Sequence, residues 1–362
     1  MRPCVPDILP IDKLHWEKYV KFVGQANAEI ARFDGILQAI INPAVLLSPL
    51  TTNEAVLSSK MEGTQATLEE VLTFEANPDF KSARFDDIQE ILNYRKAMSF
   101  SMEWLKERQI TLNMIRQTHA ILLDSVRGQH KTPGEFRITQ NWIGKPGTPI
   151  EDATFIPPDP LILDTVLNNL EQYLIYNELD PLVQTAIIHA QFEIIHPFLD
   201  GNGRLGRMLI PIFLFQKKII SSPMFYISEY LEQNRDEYAF RLNNITSNKD
   251  WDGWINFFLR TIIEQAKVNT RKAKDIIDLY ETKKARIADL SHSQFAIKIV
   301  DTLFTMPIFN SSDFVLHSGI PRASALRILN VLIKENIISI IEKGKGRNPN
   351  VLVFNKLFDI IK

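Results

Sequence analysis

Apolar residues at helical spacing run through most of this 362-residue chain, and that periodicity leaves room for little besides a mainly α fold. Over 85–108, Ile88, Ile91, Leu92, Tyr94 and Met98 form an amphipathic stripe. Thr111 reads as the N-cap of a following helix whose inward positions include Ile115, His119, Leu122 and Leu123. Asp180-Pro181 is a cap followed by a first-turn proline, opening a helix through Ala186, Ile187 and Ala190. Another helix is expected from near Gly203 through Met208 and Ile210 to Phe215, with Pro211 marking a kink or a short first helix. A long helix rich in Lys, Arg and Glu follows over about 251–289.

Two stretches break the helical pattern. The first, 128–160, carries Pro133, Gly134, Gly144, Pro146, Gly147, Pro149, Pro157 and Pro158. Irregular segments of that length are commonly functional or disordered, and Phe136, Trp142 and Phe155 within it argue for order. Segments 141–143 and 154–156 can pair as a short β-hairpin flap. The second break is the C-terminal region. Two short helices over 312–317 and 321–334 are joined by Ser318-Gly319-Ile320. A strand over 337–341, a basic turn (Lys343, Lys345, Arg347) and a strand over 351–354 follow. Two helices and a two-stranded ribbon make the pattern of a winged helix-turn-helix. There is no internal repeat. The expected division is an N-terminal helical region over 1–110, a core over 111–250, a connecting helix over 251–290 and the C-terminal domain over 291–362.

Composition removes several classes. With 45% hydrophobic and 23% charged residues, the chain has enough apolar surface to exclude intrinsic disorder and a collagenous repeat. The 41 Lys and Arg against 43 Asp and Glu give a net charge of −2, so no nucleic-acid or anionic-lipid partner is visible at the level of the whole chain. A single cysteine, Cys4, allows no internal disulfide and, without clustered His, no zinc site, which fits a reducing compartment. The opening MRPCVPDILP lacks the apolar core of a signal peptide, and the apolar run 208–215 is far short of the roughly 20 residues of a membrane span. A cytoplasmic location, away from membranes, is the expectation.

The chemistry concentrates in His196-Pro197-Phe198-Leu199-Asp200-Gly201-Asn202-Gly203-Arg204-Leu205-Gly206-Arg207. A histidine such as His196 has an unperturbed pKa near neutrality and is suited to taking a proton. Pro197 and Phe198 form a rigid turn with an apolar anchor. Asp200 is a hard oxygen donor of the kind Mg²⁺ takes alongside phosphate oxygens. Gly201 and Gly203 let backbone amides approach an anion, and the N-terminus of the next helix adds its dipole. Arg204 and Arg207 fall on one helical face, within reach of phosphate oxygens. Each part alone has an ordinary structural explanation; the combination within one short stretch points to a phosphate-handling site.

This stretch resembles, at every fixed position, the signature His-Pro-Phe-x-Asp/Glu-Gly-Asn-Gly/Lys-Arg-x-x-Arg of the Fic (filamentation induced by cyclic AMP) family. The context agrees: His189 and Phe192 precede the motif, and Gly134-Glu135-Phe136-Arg137 and Phe155-Ile156-Pro157-Pro158 resemble the family's flap. The resemblance covers roughly 50–245. It implies an all-helical core with a flap and, in most members, transfer of AMP from ATP to a protein hydroxyl with pyrophosphate leaving. By that resemblance His196 is the base and Asp200 holds Mg²⁺. Gly201, Asn202, Gly203, Arg204, Leu205, Gly206 and Arg207 belong to the nucleotide-binding set, Arg204 and Arg207 holding the β- and γ-phosphates. The flap would pair with a strand of the target.

Upstream, Ser58-Ser59-Lys60-Met61-Glu62-Gly63 is on its own an unremarkable helix end, with Gly63 as its cap. Beside the Fic signature it resembles the family's Ser/Thr-x-x-x-Glu-Gly/Asn inhibitory motif on a helix near 52–64. Glu62 would then pair with Arg207 and obstruct the γ-phosphate, Ser58 fixing the helix. Asn234, in Tyr230-Leu231-Glu232-Gln233-Asn234-Arg235, either hydrogen-bonds the purine or caps a helix; Tyr230 and Tyr238 either stack or belong to the core. In the tail, Arg322, Arg327, Lys334, Lys343, Lys345 and Arg347 outnumber Asp313, Glu335 and Glu342, an arrangement that suits DNA or a protein partner. The leading expectation is an autoinhibited protein adenylyltransferase. The alternatives are a DNA-binding regulator with a nucleotide-sensing core, and a de-AMPylase in which Glu62 orients water. A homodimer is expected from the resemblance alone.

Overall fold

The computed structural model describes residues 2–40, 46–77, 82–124, 126, 130–144, 147–344 and 349–362. The N-terminal helices are α1 (Val20–Ala39), α2 (Ser48–Met61), α3 (Leu68–Ala76) and α4 (Phe85–Trp104). The core follows with α5 (Leu112–Leu122), α6 (Leu163–Ile175), α7 (Pro181–Ile195), α8 (Asn202–Gln216), α9 (Ser228–Gln233) and α10 (Arg235–Asn248). Then come α11 (Trp251–Ser291), α12 (Ala296–Thr305), β1 (Ile308–Asn310), α13 (Ser311–Ser318), α14 (Arg322–Lys334), β2 (Ser339–Glu342), β3 (Val351–Val353) and α15 (Asn355–Ile361).

Local chemistry explains the helix starts. Asp180 accepts from the amides of Leu182 and Val183 ahead of α7, Thr111 from Met114 ahead of α5, and Thr67 with Glu70 forms a capping box on α3. α7 and α8 are buried on nearly every side and pack on each other, which makes this pair the centre of the molecule. α1 and α11 pack against each other and against α7, and α2, α4 and α5 close over α8. Trp254 of α11 anchors this packing by donating its indole N–H to the Ala186 carbonyl at 2.8 Å.

Several expectations are corrected. α4 ends at Trp104 rather than 108. α8 runs through Pro211 as one helix, so the short-first-helix alternative fails. Among the described residues the flap holds one antiparallel bridge, Ile143 to Phe155, and not a hairpin of paired strands. Pro157 and Pro158 lack amide donors, and residues Ile150–Asp152 form a 3₁₀ turn ahead of the second bridge residue. At the C-terminus two helices and two strands lie where expected, the first strand displaced to 339–342. A third strand, β1, and the final helix α15 were not anticipated. The sheet is antiparallel with order β1-β3-β2, Leu352 standing opposite both Phe309 and Ile340. Lys345 and Arg347 of the basic turn lie outside the described residues. This unit packs on the N-terminal helices: Asn310 donates to the Ala76 carbonyl at 2.6 Å, and α12 and α15 touch α2. Among the described residues no helix is long and apolar enough to cross a membrane.

Candidate active site

α7 ends at His196, whose backbone is left-handed (φ 49°, ψ 60°), and α8 begins after Gly201, also left-handed (φ 76°). The intervening loop is fastened from several sides. The Asn202 side chain bridges Phe198 twice, its Oδ1 accepting from the Phe198 amide at 2.9 Å and its Nδ2 donating to the Phe198 carbonyl at 2.8 Å. The His119 ring stacks on Phe198 with centroids 3.7 Å apart. It donates from Nε2 to the Asp200 carbonyl at 2.9 Å and accepts the Gly134 amide at Nδ1 at 2.8 Å. Burial lowers the His119 pKa to about 4, so the ring stays neutral and keeps this pair of bonds. Arg137, 2% exposed, donates to the carbonyls of His196 at 2.9 Å, Pro158 at 2.6 Å and Ile195 at 3.3 Å. Asn141 adds a bond to the Phe198 carbonyl at 2.9 Å. Flap and motif loop are therefore one hydrogen-bonded assembly.

A cavity of about 420 Å³ opens between the flap, α10 and the ends of α7 and α2. Glu62, His196, Gly203 and Arg207, all nominated by sequence, line it. The His196 Nδ1 faces the Glu193 carbonyl at 3.3 Å; donation there leaves Nε2 as the basic nitrogen. Burial drives the imidazole pKa down to about 4, so it is neutral at pH 7. Arg207, 2% exposed, is held by the N-terminal region: its Nε donates to Ser58 Oγ at 3.0 Å, and its Nη2 to the Ser58 carbonyl at 2.8 Å and Glu62 Oε1 at 2.7 Å. Burial alone would raise the Glu62 carboxyl, but Arg207, with Arg204 and His196, holds it below the usual carboxylate range. Glu62 lies just past the C-terminus of α2, where Arg235 donates to the Met61 carbonyl at 2.8 Å and Gly63 turns the chain with φ 98°. Gly203 admits the Glu62 carboxylate, since a Cβ there would come within 2.2 Å of Oε1.

Arg204 has a different environment. Its Nη1 donates to Glu90 Oε2 at 2.9 Å, both side chains being 3% exposed, and its Nη2 reaches Asp200 Oδ1 at only 3.4 Å. Asp200 accepts its neighbour's Gly201 amide at 2.6 Å and keeps 41% of its side chain exposed. Among the described residues no cluster of three or more His, Cys, Asp or Glu could hold a metal. A lone accessible carboxylate fits Mg²⁺ only where phosphate oxygens complete the shell, which suits the residues present.

Of the nominated residues, Ser58, Asp200, Gly201, Asn202, Arg204, Leu205, Gly206 and Asn234 are not part of the cavity lining, and the last three face elsewhere. Leu205 is fully buried in the core between helices, and Gly206 faces Glu193 and Phe192, where its missing side chain lets α7 and α8 approach. Asn234 sits at the α9–α10 junction and donates to the Tyr230 carbonyl at 2.9 Å, at the C-terminal end of α9. The asparagine on the cavity wall is Asn243 of α10, with Tyr238 and Leu242 beside it. Tyr238 is buried, its hydroxyl donating to His189 Nε2 at 3.0 Å. Sequence reasoning passed over Glu90 and Glu193, and gave no site role to His119, Asn141 or Arg235. His119 stood among the inward helix positions, Asn141 in the flap segment and Arg235 at the end of the stretch around Asn234.

The model of the Fic/DOC family N-terminal region matches residues 20–103, and that of the Fic/DOC family matches residues 109–214. The chain carries both Fic/DOC family domains. The seam between them is crossed by Glu62–Arg207 and Glu90–Arg204, so each motif arginine of the Fic domain is met by a carboxylate of the N-terminal domain. A protein named protein adenylyltransferase Fic from Drosophila grimshawi is 32% identical over 166 residues, 43% of this chain and 31% of that one. A probable protein adenylyltransferase from Aquifex aeolicus is 33% identical over 92 residues, 25% of this chain and 26% of its own. The chain thus spans less than a third of the length of these curated relatives. The crystal structure of a Fic family protein from Desulfovibrio desulfuricans superposes with a TM-score of 0.60 over 98% of both chains at 18% identity, a likeness of fold.

Proposed function

We propose that the protein is an adenylyltransferase that moves AMP from ATP to a Ser, Thr or Tyr hydroxyl of a protein, and that Glu62 restrains it. The observation that carries this reading is the sharing of one cavity by a neutral His196 and an arginine, Arg207, at the first turns of α8. His196 Nε2 accepts the target hydroxyl proton. The hydroxyl oxygen forms a bond to the α-phosphorus, the bond from that phosphorus to the bridging oxygen breaks, and pyrophosphate leaves with the electron pair. Backbone amides at the start of α8 and the helix dipole favour the charge that develops on the α-phosphate. Asp200 would hold Mg²⁺, whose bound charge neutralises phosphate oxygens. Glu62 occupies Arg207 in the position a γ-phosphate would take, so its removal frees the Nη2 N–H that it now accepts and removes the opposing carboxylate charge.

The decisive experiment is incubation of the Glu62→Gly variant with α-labelled ATP, Mg²⁺ and candidate protein. Label transfer well above wild type is expected, with loss of about 10²–10⁴-fold on adding His196→Ala. Equal labelling by both variants, with ATP bound, would overturn the assignment of His196.

The C-terminal unit favours a second role. We read α13, α14 and the β2–β3 ribbon as a winged helix. Arg322, Arg327, Asn330 and Lys334 are exposed on α14, while Ala325, Ile328, Leu329 and Leu332 are buried on its other side. Donors on an open helical face suit a DNA groove. Binding to duplex DNA that weakens steeply with salt, and weakens further in Arg327→Ala, is the expected outcome; salt-independent binding would count against it.

A further inference from the structure

The segment 2–10 lies ahead of both matched family regions, and it is bonded to elements that enclose the cavity. At the flap, the Cys4 amide donates to the Ile156 carbonyl at 2.9 Å. At α7, Gln191, fully buried ahead of His196, donates from Nε2 to the Asp7 carbonyl at 2.7 Å. At the α10–α11 junction, the Asp7 carboxylate accepts from the Lys249 ammonium at 2.6 Å and the Trp251 indole N–H at 2.9 Å. The arm itself is rooted: Pro6 and Leu9 are buried, and the Leu9 backbone exchanges two bonds of 2.9 Å with the Asn169 side chain of α6.

The flap depends on support from outside. Among the described residues it holds one bridge, Ile143 to Phe155, and Pro157 and Pro158 have no amides to add to it. Segment 156–158 is held by its carbonyls instead: Pro158 accepts from Arg137 at 2.6 Å, Pro157 from Gln140 at 3.0 Å, and Ile156 from Cys4. Arg137 and Gln140 belong to the flap's own stretch of chain; Cys4 does not. Phe155 turns its N–H and C=O to Ile143, so the Ile156 carbonyl faces the opposite edge, which the arm covers.

We propose that segment 4–7 straps the flap to α7 and to the α10–α11 junction, and that the Cys4 backbone amide and the Asp7 carboxylate are positioning residues for the protein target. Held from behind, segment 154–156 keeps Ile143 in place through the bridge, and Ile143, Thr154 and Phe155 line the same cavity as His196. A target that docks on a looser flap has to order it first. That lowers affinity for the target in proportion to the competent fraction, and leaves the bound geometry, and hence kcat, as it was. The inference rests on the adenylyltransferase reading only for the nature of the target, a protein segment. The Cys4 thiol has no part in it.

The test uses the full chain with Cys4→Pro, which removes the amide donor, Cys4→Ala, which keeps it and removes the thiol, and Asp7→Ala. Hydrogen exchange at the Ile143 and Phe155 amides should be roughly three- to tenfold faster in Cys4→Pro and Asp7→Ala than in wild type, as expected for one lost hydrogen bond. Cys4→Ala should match wild type, and the Leu209 and Phe213 amides of α8 should exchange alike in every protein. Asp7→Asn, which retains an acceptor for the Trp251 indole, should fall between Asp7→Ala and wild type. Kinetics are then measured in the Glu62→Gly background with α-labelled ATP, the acceptor being a second copy of this chain carrying His196→Ala. Cys4→Pro should raise KM for that acceptor by the same roughly three- to tenfold factor, with kcat and the Kd for ATP within about twofold. Unchanged exchange at Ile143 and Phe155 in both Cys4→Pro and Asp7→Ala, or Cys4→Ala behaving as Cys4→Pro, would overturn the proposal. So would a fall in kcat with KM unmoved, or equal acceleration at Leu209 and Phe213, since either would make the arm a stabiliser of the whole fold. Absence of label with Glu62→Gly itself counts against the adenylyltransferase reading, and the exchange rates, which need no activity, still decide the strap.

Discussion

At the scale of single residues, burial converts ordinary side chains into specialised ones. His196 differs from a free imidazole in two respects: its Nδ1 faces a carbonyl, and burial drives its pKa to about 4. A histidine whose folded pKa lies below its usual value of 6.5 stays unprotonated until the pH falls through the lower value. The proposed base is therefore fully available across pH 5.5–8. We expect kcat/KM for AMP transfer by the Glu62→Gly variant to show no acid limb near pH 6.5 in that window. A decline centred near 6.5, absent when the profile is corrected for protein loss, would show that His196 titrates normally and is not held as described. The same rule links pH to stability. His119 and His189, lowered to about 4 and about 3 by burial, favour the fold above pH 6.5 and lose that contribution as the pH falls towards those values.

Elements carry the next level of control, because the α8 arginines are held by side chains from other helices. α4 reaches α8 through Glu90, which takes Arg204 at 2.9 Å and the Thr64 hydroxyl at 3.1 Å in a buried setting. Breaking a buried ion pair by removing one member costs about 3–5 kcal/mol, because the other charge is left uncompensated. Glu90→Ala should therefore lower the unfolding free energy by roughly that amount in denaturant titration, and Glu90→Met with Arg204→Met should recover much of it. An effect under about 1 kcal/mol for Glu90→Ala would mean that water reaches Arg204 and the pair is screened. This pair also marks what a sequence can and cannot reveal. α4, α5, α7, α8, α11, α13 and α14 were legible, because each has a stripe or a cap within a few residues. β1, three buried residues without alternation, and α15 had no such signature. The motif loop was legible as chemistry, but its supports were not: Glu90 meets Arg204, and Arg137 meets His196, only after helices distant in sequence have packed. Asn202 shows the converse, a motif residue whose side chain is fully used in fastening Phe198.

For the whole molecule, the proposed function puts a restraint and a ligand in competition for one buried charge. Arg207 is buried against the N-terminal domain, and the C-terminal unit packs in turn on α2, the helix that ends at Glu62. In the Glu62→Gly variant Arg207 loses its carboxylate but keeps both bonds to Ser58, so the charge is only partly compensated. Two consequences follow from linkage. Without nucleotide the variant should unfold at a lower temperature than wild type. With nucleotide it should gain more, because a ligand that binds only the folded state adds about 2.7 kcal/mol at a hundredfold excess over Kd, and the variant's Kd for ATP is expected to be the smaller. Thermal unfolding of both proteins across an ATP series, with AMP as the control lacking β- and γ-phosphates, measures both terms. The expected pattern is a larger ATP-induced rise in Tm for Glu62→Gly and a rise with AMP that is the same in the two proteins. Equal ATP-induced shifts would place the γ-phosphate away from Arg207 and leave Glu62 a structural partner of that arginine rather than its competitor.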